Sequence, residues 1–173
     1  RVRGNRVSNA TWPIAAGNGT DQTFSENTLV RGGGGITCLS HRALTCSGNR
    51  IEDMRQWGVI SLVGFGKLGF TENHVLSCGY QQQPSIGVGV SLQLGELAVE
   101  SCEIMDTGLS ADKATISPLA WGLFADLVLE ARVQSNLVTY ANATLLDANE
   151  EHRALWLRGW LEQVINLGAG QVV

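Results

Sequence analysis

The apolar pattern of this chain changes period once, near Gly108. Before it, apolar residues run together or alternate; after it, they recur at three- and four-residue intervals. Trp57 to Phe70 is the most continuous stretch, with Val59, Ile60, Leu62, Val63 and Phe65 in near-unbroken order, which suits a strand buried on both faces. Val88, Val90, Leu92 and Leu94 alternate with Gly, Ser and Gln, as in a half-buried strand, and the phase shifts across Gly95-Glu96 to Leu97 and Val99. A two-residue hairpin with Gly at its first central position accounts for the shift, and a β-bulge is the alternative. Ile36 to Cys46 reads as a further strand, closed by the turn signal Ser47-Gly48-Asn49.

Beyond Gly108 the pattern predicts two helices. Ser117 stands as an N-cap with Pro118 at the first helical position, followed by Leu119, Ala120, Leu123, Phe124, Leu127, Val128 and Ala131. Asp147 and Glu150 form a capping-box pair ahead of Leu157, Trp160, Leu161, Val164 and Ile165, with Gly168 as the stop. The expectation is an α+β fold: an antiparallel, β-rich N-terminal two-thirds followed by two C-terminal α-helices. Residues 1–35 read as an extended arm ending in the Gly32–Gly35 run. Residues 36–173 read as one domain, with strands over about 36–106 and helices over about 118–135 and 148–167. No internal repeat stands out beyond the glycine run.

The second helix would be apolar over roughly half its circumference, against the ~100° stripe that packing on one sheet requires. Trp156, Trp160, Leu161, Val164 and Ile165 are therefore the predicted assembly interface, covered by the first helix or by a second copy. Composition adds weight to the second copy. Charged residues make up 16 % of the chain against roughly 25 % in an average soluble domain, and a free monomer solvates itself with more of them.

The net charge of −4 is unevenly spread. Residues 1–67 carry 8 basic and 4 acidic side chains, and residues 68–173 carry 4 basic and 12 acidic ones. Ten of the 12 cations are arginine, which is suited to bidentate contacts with carboxylate or phosphate. Arg1, Arg3 and Arg6 precede the first acid, Asp21, and form a candidate arm for nucleic acid or for the acidic half of a neighbouring copy. Four cysteines, Cys38, Cys46, Cys78 and Cys102, allow a disulfide framework or four reduced thiols. Glycosylation sequons begin at Asn9, Asn18 and Asn142 and lean towards an extracellular or virion location. No stretch is apolar enough to span a membrane as a helix.

Candidate chemistry is sparse. Gly64-Phe65-Gly66-Lys67-Leu68-Gly69 matches a dinucleotide fingerprint but lacks the helix and the downstream acid that such a site needs. Cys38, His41 and Cys46 lack zinc-knuckle spacing, and a strand would put His41 on the opposite face from the two cysteines. Ser40 beside His41, and Cys78 with His74, are the only nucleophile–base pairs suggested, and neither sits in a catalytic context. The acids Glu96, Glu100, Glu103 and Asp106 read as a solvated edge. No catalytic, cofactor or metal residues are assigned. The expected function is a non-enzymatic, self-assembling structural protein: a virion coat, or an extracellular lattice or filament subunit. Copies would be held by a shared apolar face and by arginine–acid contacts. The alternatives are a secreted, disulfide-stabilised binding module that recognises its ligand through loops such as Gly79–Pro84, and an unrecognised hydrolase-type enzyme.

Overall fold

The computed structural model describes the backbone of residues 1–140, 151–159 and 164–165, and the side chains of residues 1–140 and of Leu155. The chain winds as a β-solenoid. Strands β1 (Val2–Arg3), β2 (Arg6–Ser8) and β3 (Ile14–Ala16) make the first coil. Strands β4 (Gly19–Ser25), β5 (Thr28–Gly32) and β6 (Ile36–Cys38) make the second, and β7 (His41–Ser47), β8 (Arg50–Met54) and β9 (Trp57–Ser61) the third. The fourth comprises β10 (Leu68–Thr71), β11 (His74–Cys78) and the start of the long strand β12 (Ser85–Glu100). The end of β12, then β13 (Glu103–Met105) and the start of β14 (Leu119–Gln134), form the fifth. The sixth runs through the end of β14, β15 (Leu137–Thr139) and β16 (Glu151–Gly159), with β17 (Val164–Ile165) beside β14 again.

Every strand pairs in parallel with its counterpart one coil away, which gives an 11-stranded and a 6-stranded sheet. Like residues therefore stack. One interior column is Ile14, Ile36, Val59, Val88 and Leu123, with Leu155 next in register. A second is Leu29, Ile51, Val75 and Ile104, and a third is Phe24, Cys46, Phe70 and Val99. All these side chains except Leu155 are buried, and each large one contributes about 1.5–3 kcal/mol.

Two devices set the coil. The first is an asparagine ladder at the corner ahead of the 6-stranded sheet. The Asn5 amide donates to Asn27 Oδ1 at 3.0 Å, Asn27 to Asn49 at 2.9 Å and Asn49 to Asn73 at 2.9 Å. Each backbone N–H of Asn5, Asn27 and Asn49 also donates to the next Asn oxygen, at 3.1 Å. The residue before each rung is left-handed: Gly4, Glu26, Gly48, Glu72, Ser101 and Ser135. The second device is a glycine ladder, Gly35, Gly58, Gly87 and Gly122, at the start of the sheet carrying β6 and β9. A Cβ on Gly58 would lie 2.6 Å from the carbonyl oxygen of Gly87, and one on Gly87 would lie 2.7 Å from that of Gly122. Only glycine lets these coils approach so closely. That close approach accounts for part of the glycine excess.

These findings overturn the α+β reading. No helix occurs among the described residues, and the sheets are parallel, not antiparallel. The stretch predicted as a helix over 118–135 is strand β14, and part of the one predicted over 148–167 is β16 and β17. Ser117 caps no helix; its hydroxyl donates to the carbonyl oxygen of Leu119 at 3.1 Å. The helical spacing in β14 arises because the strand bends at Leu127, whose φ is +56°, so the inward apolar phase slips midway. At Gly95 the alternative holds. Strand β12 continues through it, with a left-handed bend at Leu92 and a bulge between Gln93 and Glu96 in place of a hairpin. Residues 1–35, expected as an extended arm and a flexible break, carry β1 to β5 in register with the rest. Gly32 to Gly35 are all buried. An internal repeat of about 22 residues, not expected from the sequence, underlies the whole arrangement.

Candidate functional site

Two surfaces stand out, both near the corner between the 6-stranded sheet and the strands β3, β6, β9 and β12. The first is polar. Asn9, Thr11, Arg31, Asp53, Arg55 and Tyr80 line a groove of about 360 Å³. It continues past Arg31, Asp53 and Tyr80 into a space of about 590 Å³ walled by Gln81, Ser110, Asp112 and Thr115. The solenoid puts them there: Asn9, Arg31 and Asp53 occupy equivalent left-handed corner positions on coils one, two and three, with φ between 56° and 57°. The far wall is made by loops that replace a tight corner in coils four and five.

Charges in this groove are unequally engaged. Burial pushes the Tyr80 phenol above its ordinary value, helped by the negative charge of Asp53 and a hydrogen bond with it. Asp112 accepts from the Ser110 hydroxyl at 2.6 Å and from the Ala114 N–H at 3.1 Å, and these bonds lower its pKa. Among the described residues, the Arg55 side chain donates to a backbone oxygen, that of Gly32, at 3.4 Å. Arg31 is exposed and has no ion pair among the described residues.

The second surface is apolar. Trp12, Ala15, Thr37, Leu39, Trp57, Ile60 and Leu62 line a shallow trough of about 380 Å³ on the outside of β3, β6 and β9. The Trp12 and Trp57 rings lie 5.4 Å apart and tilted by 37°, and the Trp57 indole N–H donates to Thr37 at 3.0 Å. Trp12 is 47 % exposed, Leu39 52 %, Leu62 37 % and the adjoining Phe65 57 %. In register, the outward column Ala15, Thr37 and Ile60 continues to Gly89 and Phe124, where Trp121 stacks on Phe124 at 5.0 Å.

The residues singled out from sequence are scattered. His41 is buried and meets Ser61, not Ser40, at 2.6 Å. His74 bonds Glu103 at 2.7 Å on the outer face of the 6-stranded sheet, whereas Cys78 is buried inside, so the two form no catalytic pair. Cys38, Cys46, Cys78 and Cys102 are free and buried; no disulfide framework forms. Burial holds the Cys38 and Cys78 thiols up at about 12 and raises Cys46 and Cys102 as well. No cluster suited to a metal ion occurs among the described residues. Gly64 and Gly66 are tight corners against Gln93 and Arg42, with no helix following.

Of the arm residues Arg1, Arg3 and Arg6, Arg3 is held in place, clamping Glu26 on the next coil at 2.6 and 3.0 Å. Asn9 and Asn18 are exposed, both with positive φ; Asn142 lies outside the described residues. Of the predicted assembly interface, Trp156 falls on β16 opposite Phe124, and Val164 and Ile165 form β17. Trp160 and Leu161 lie outside the described residues. No described helix is long and apolar enough to cross a membrane. Sequence reasoning missed the Trp12–Leu62 trough and, beyond the Gly79–Pro84 loop, the polar groove, because both draw on residues about 22 positions apart. Searches against family models, curated proteins and solved structures find no match.

Proposed function

We propose that this solenoid is a self-assembling structural protein whose apolar outer trough is covered by the same trough of a second copy. The observation that carries the reading is the exposed row Trp12, Leu39, Leu62 and Phe65 beside half-buried Trp57 and Ile60. An exposed patch of this kind is a mark of an interface. The partner is a second copy because the trough is complementary to itself. No charged side chain lines the trough, so a two-fold pairing of trough on trough sets apolar surface against apolar surface and buries no unpaired charge. A virion or extracellular layer is the setting such a subunit suits.

Sedimentation of the purified chain tests this. Dimers or larger species that become monomers in Leu39→Asp and Leu62→Asp are expected, with circular dichroism unchanged. A wild-type monomer at high concentration overturns the proposal. A second reading, a binding module using the Gly79–Pro84 loop, is favoured by one observation: Tyr80 and Gln81 of that loop wall the polar groove.

A further inference from the structure

The polar groove is built for an extended ligand. It runs from Asn9 on the first coil to Thr115 on the loop of the fifth. Parallel strands stack about 4.8 Å apart, so four coil steps span roughly 19 Å. Its walls mix donors and acceptors at every level, which suits a polyhydroxylated chain. The charge state narrows the choice. Asp112 is occupied by Ser110 and Ala114, and Asp53 by Tyr80, while the guanidinium groups of Arg31 and Arg55 have no carboxylate partner among the described residues. Two unclaimed guanidinium groups suit carboxylates, which arginine grips through paired N–H bonds. A peptide adding as a strand needs an open sheet edge, and the groove is walled by turns and loops.

We infer that the groove lined by Asn9, Thr11, Arg31, Arg55 and Tyr80 binds an acidic oligosaccharide, with ligand carboxylates on Arg31 and Arg55 and ligand hydroxyls on Asn9 and Thr11. This rests on the reading of the chain as a binding module and names its ligand class. The groove and the apolar trough share no lining residue.

Titration calorimetry of the full chain against hexamers of galacturonate and of mannuronate, against cellohexaose and mannohexaose, and against a single-stranded thymidine oligonucleotide tests it. Binding of at least one acidic hexamer is expected. Arg31→Gln and Arg55→Gln should each weaken it about tenfold, and added salt should weaken it further. Both substitutions are at the surface, and an unchanged melting temperature confirms that the fold is kept. Equal or tighter binding of a neutral hexamer or of the oligonucleotide overturns the ligand class while leaving a binding module standing. No binding of any probe at millimolar concentration overturns both, as does acidic-hexamer binding that survives both arginine substitutions undiminished.

Discussion

The side-chain amide of Asn73 points at the sulfur of Cys102, 3.9 Å away, at the level where each earlier rung of the ladder has an asparagine oxygen at 2.9 to 3.0 Å. The ladder resumes one coil later, where the Cys102 N–H donates to Asn136 Oδ1 at 2.9 Å. Cys102 is thus a weak rung between good ones. Cys102→Asn should restore two amide bonds in place of a sulfur contact and stabilise the chain by about 1 kcal/mol. That corresponds to a rise of roughly 2–4 °C in melting temperature. A fall would show that the site has no room for the amide.

Removing a good rung should cost more. Asn49 Oδ1 accepts from both the N–H and the side-chain amide of Asn27, and its own amide donates to Asn73 and to the Phe24 carbonyl. Asn49→Ala strands those buried groups and should cost about 3 kcal/mol or more in urea unfolding. Asn5→Ala, at the exposed end of the same ladder, should cost under about 1 kcal/mol. Equal losses at the two positions would refute the ladder as a source of stability.

Gly58→Ala should be among the most damaging small substitutions. Its methyl would press on the Val75 side chain and on the Gly87 carbonyl, and the carbonyl belongs to the coil-to-coil ladder and cannot turn aside. A loss of about 3 kcal/mol is expected. Gly69→Ala is the control, because a Cβ there meets nothing within 4 Å; its melting temperature should stay near that of wild type.

Stability should fall in mild acid through His41. Burial lowers its pKa below the ordinary 6.5, and its Nδ1 has no partner among the described residues. Below pH 6.5 the unfolded chain therefore takes up a proton that the folded chain refuses, so stability declines as pH falls towards the lowered folded value. His41→Gln should flatten the urea midpoint between pH 7 and 5. An unaltered pH slope would show that other groups set it.

The four thiols should be silent in the native protein. Each is buried, with a raised pKa, so the thiolate that reacts is scarce. Ellman's reagent should titrate none of them before unfolding and all four after it. Fast native labelling of Cys38 or Cys78 would contradict their burial.

Much of this was written in the chain. Gly4-Asn5-Arg6-Val7 and Gly48-Asn49-Arg50-Ile51 are near copies, and Glu26-Asn27-Thr28-Leu29 and Glu72-Asn73-His74-Val75 follow the same form. The strands at Val59 and Val88 and the bulge option at Gly95 were legible because alternation reports local extension directly. Parallel pairing was not, since it depends on which residue lies one coil away. The repeat was hidden by its drift from 22 residues to 24, 29 and 34. In β14 a bent strand imitates a helix, because left-handed Leu127 reverses the inward and outward positions. The groove was half visible: Gly79–Pro84 was named as a recognition loop, but the arginines facing it sit one and two coils earlier.

That drift in coil length has a consequence of its own. The extra residues of the fourth and fifth coils enter almost wholly at one corner, between β11 and β12 and between β13 and β14, where they become the wall carrying Tyr80, Ser110 and Asp112. The stacked interior keeps its step while the rim above it grows. A protein built this way can revise its grip on the outside world, by lengthening or trimming that single border, without renegotiating anything in the spine beneath.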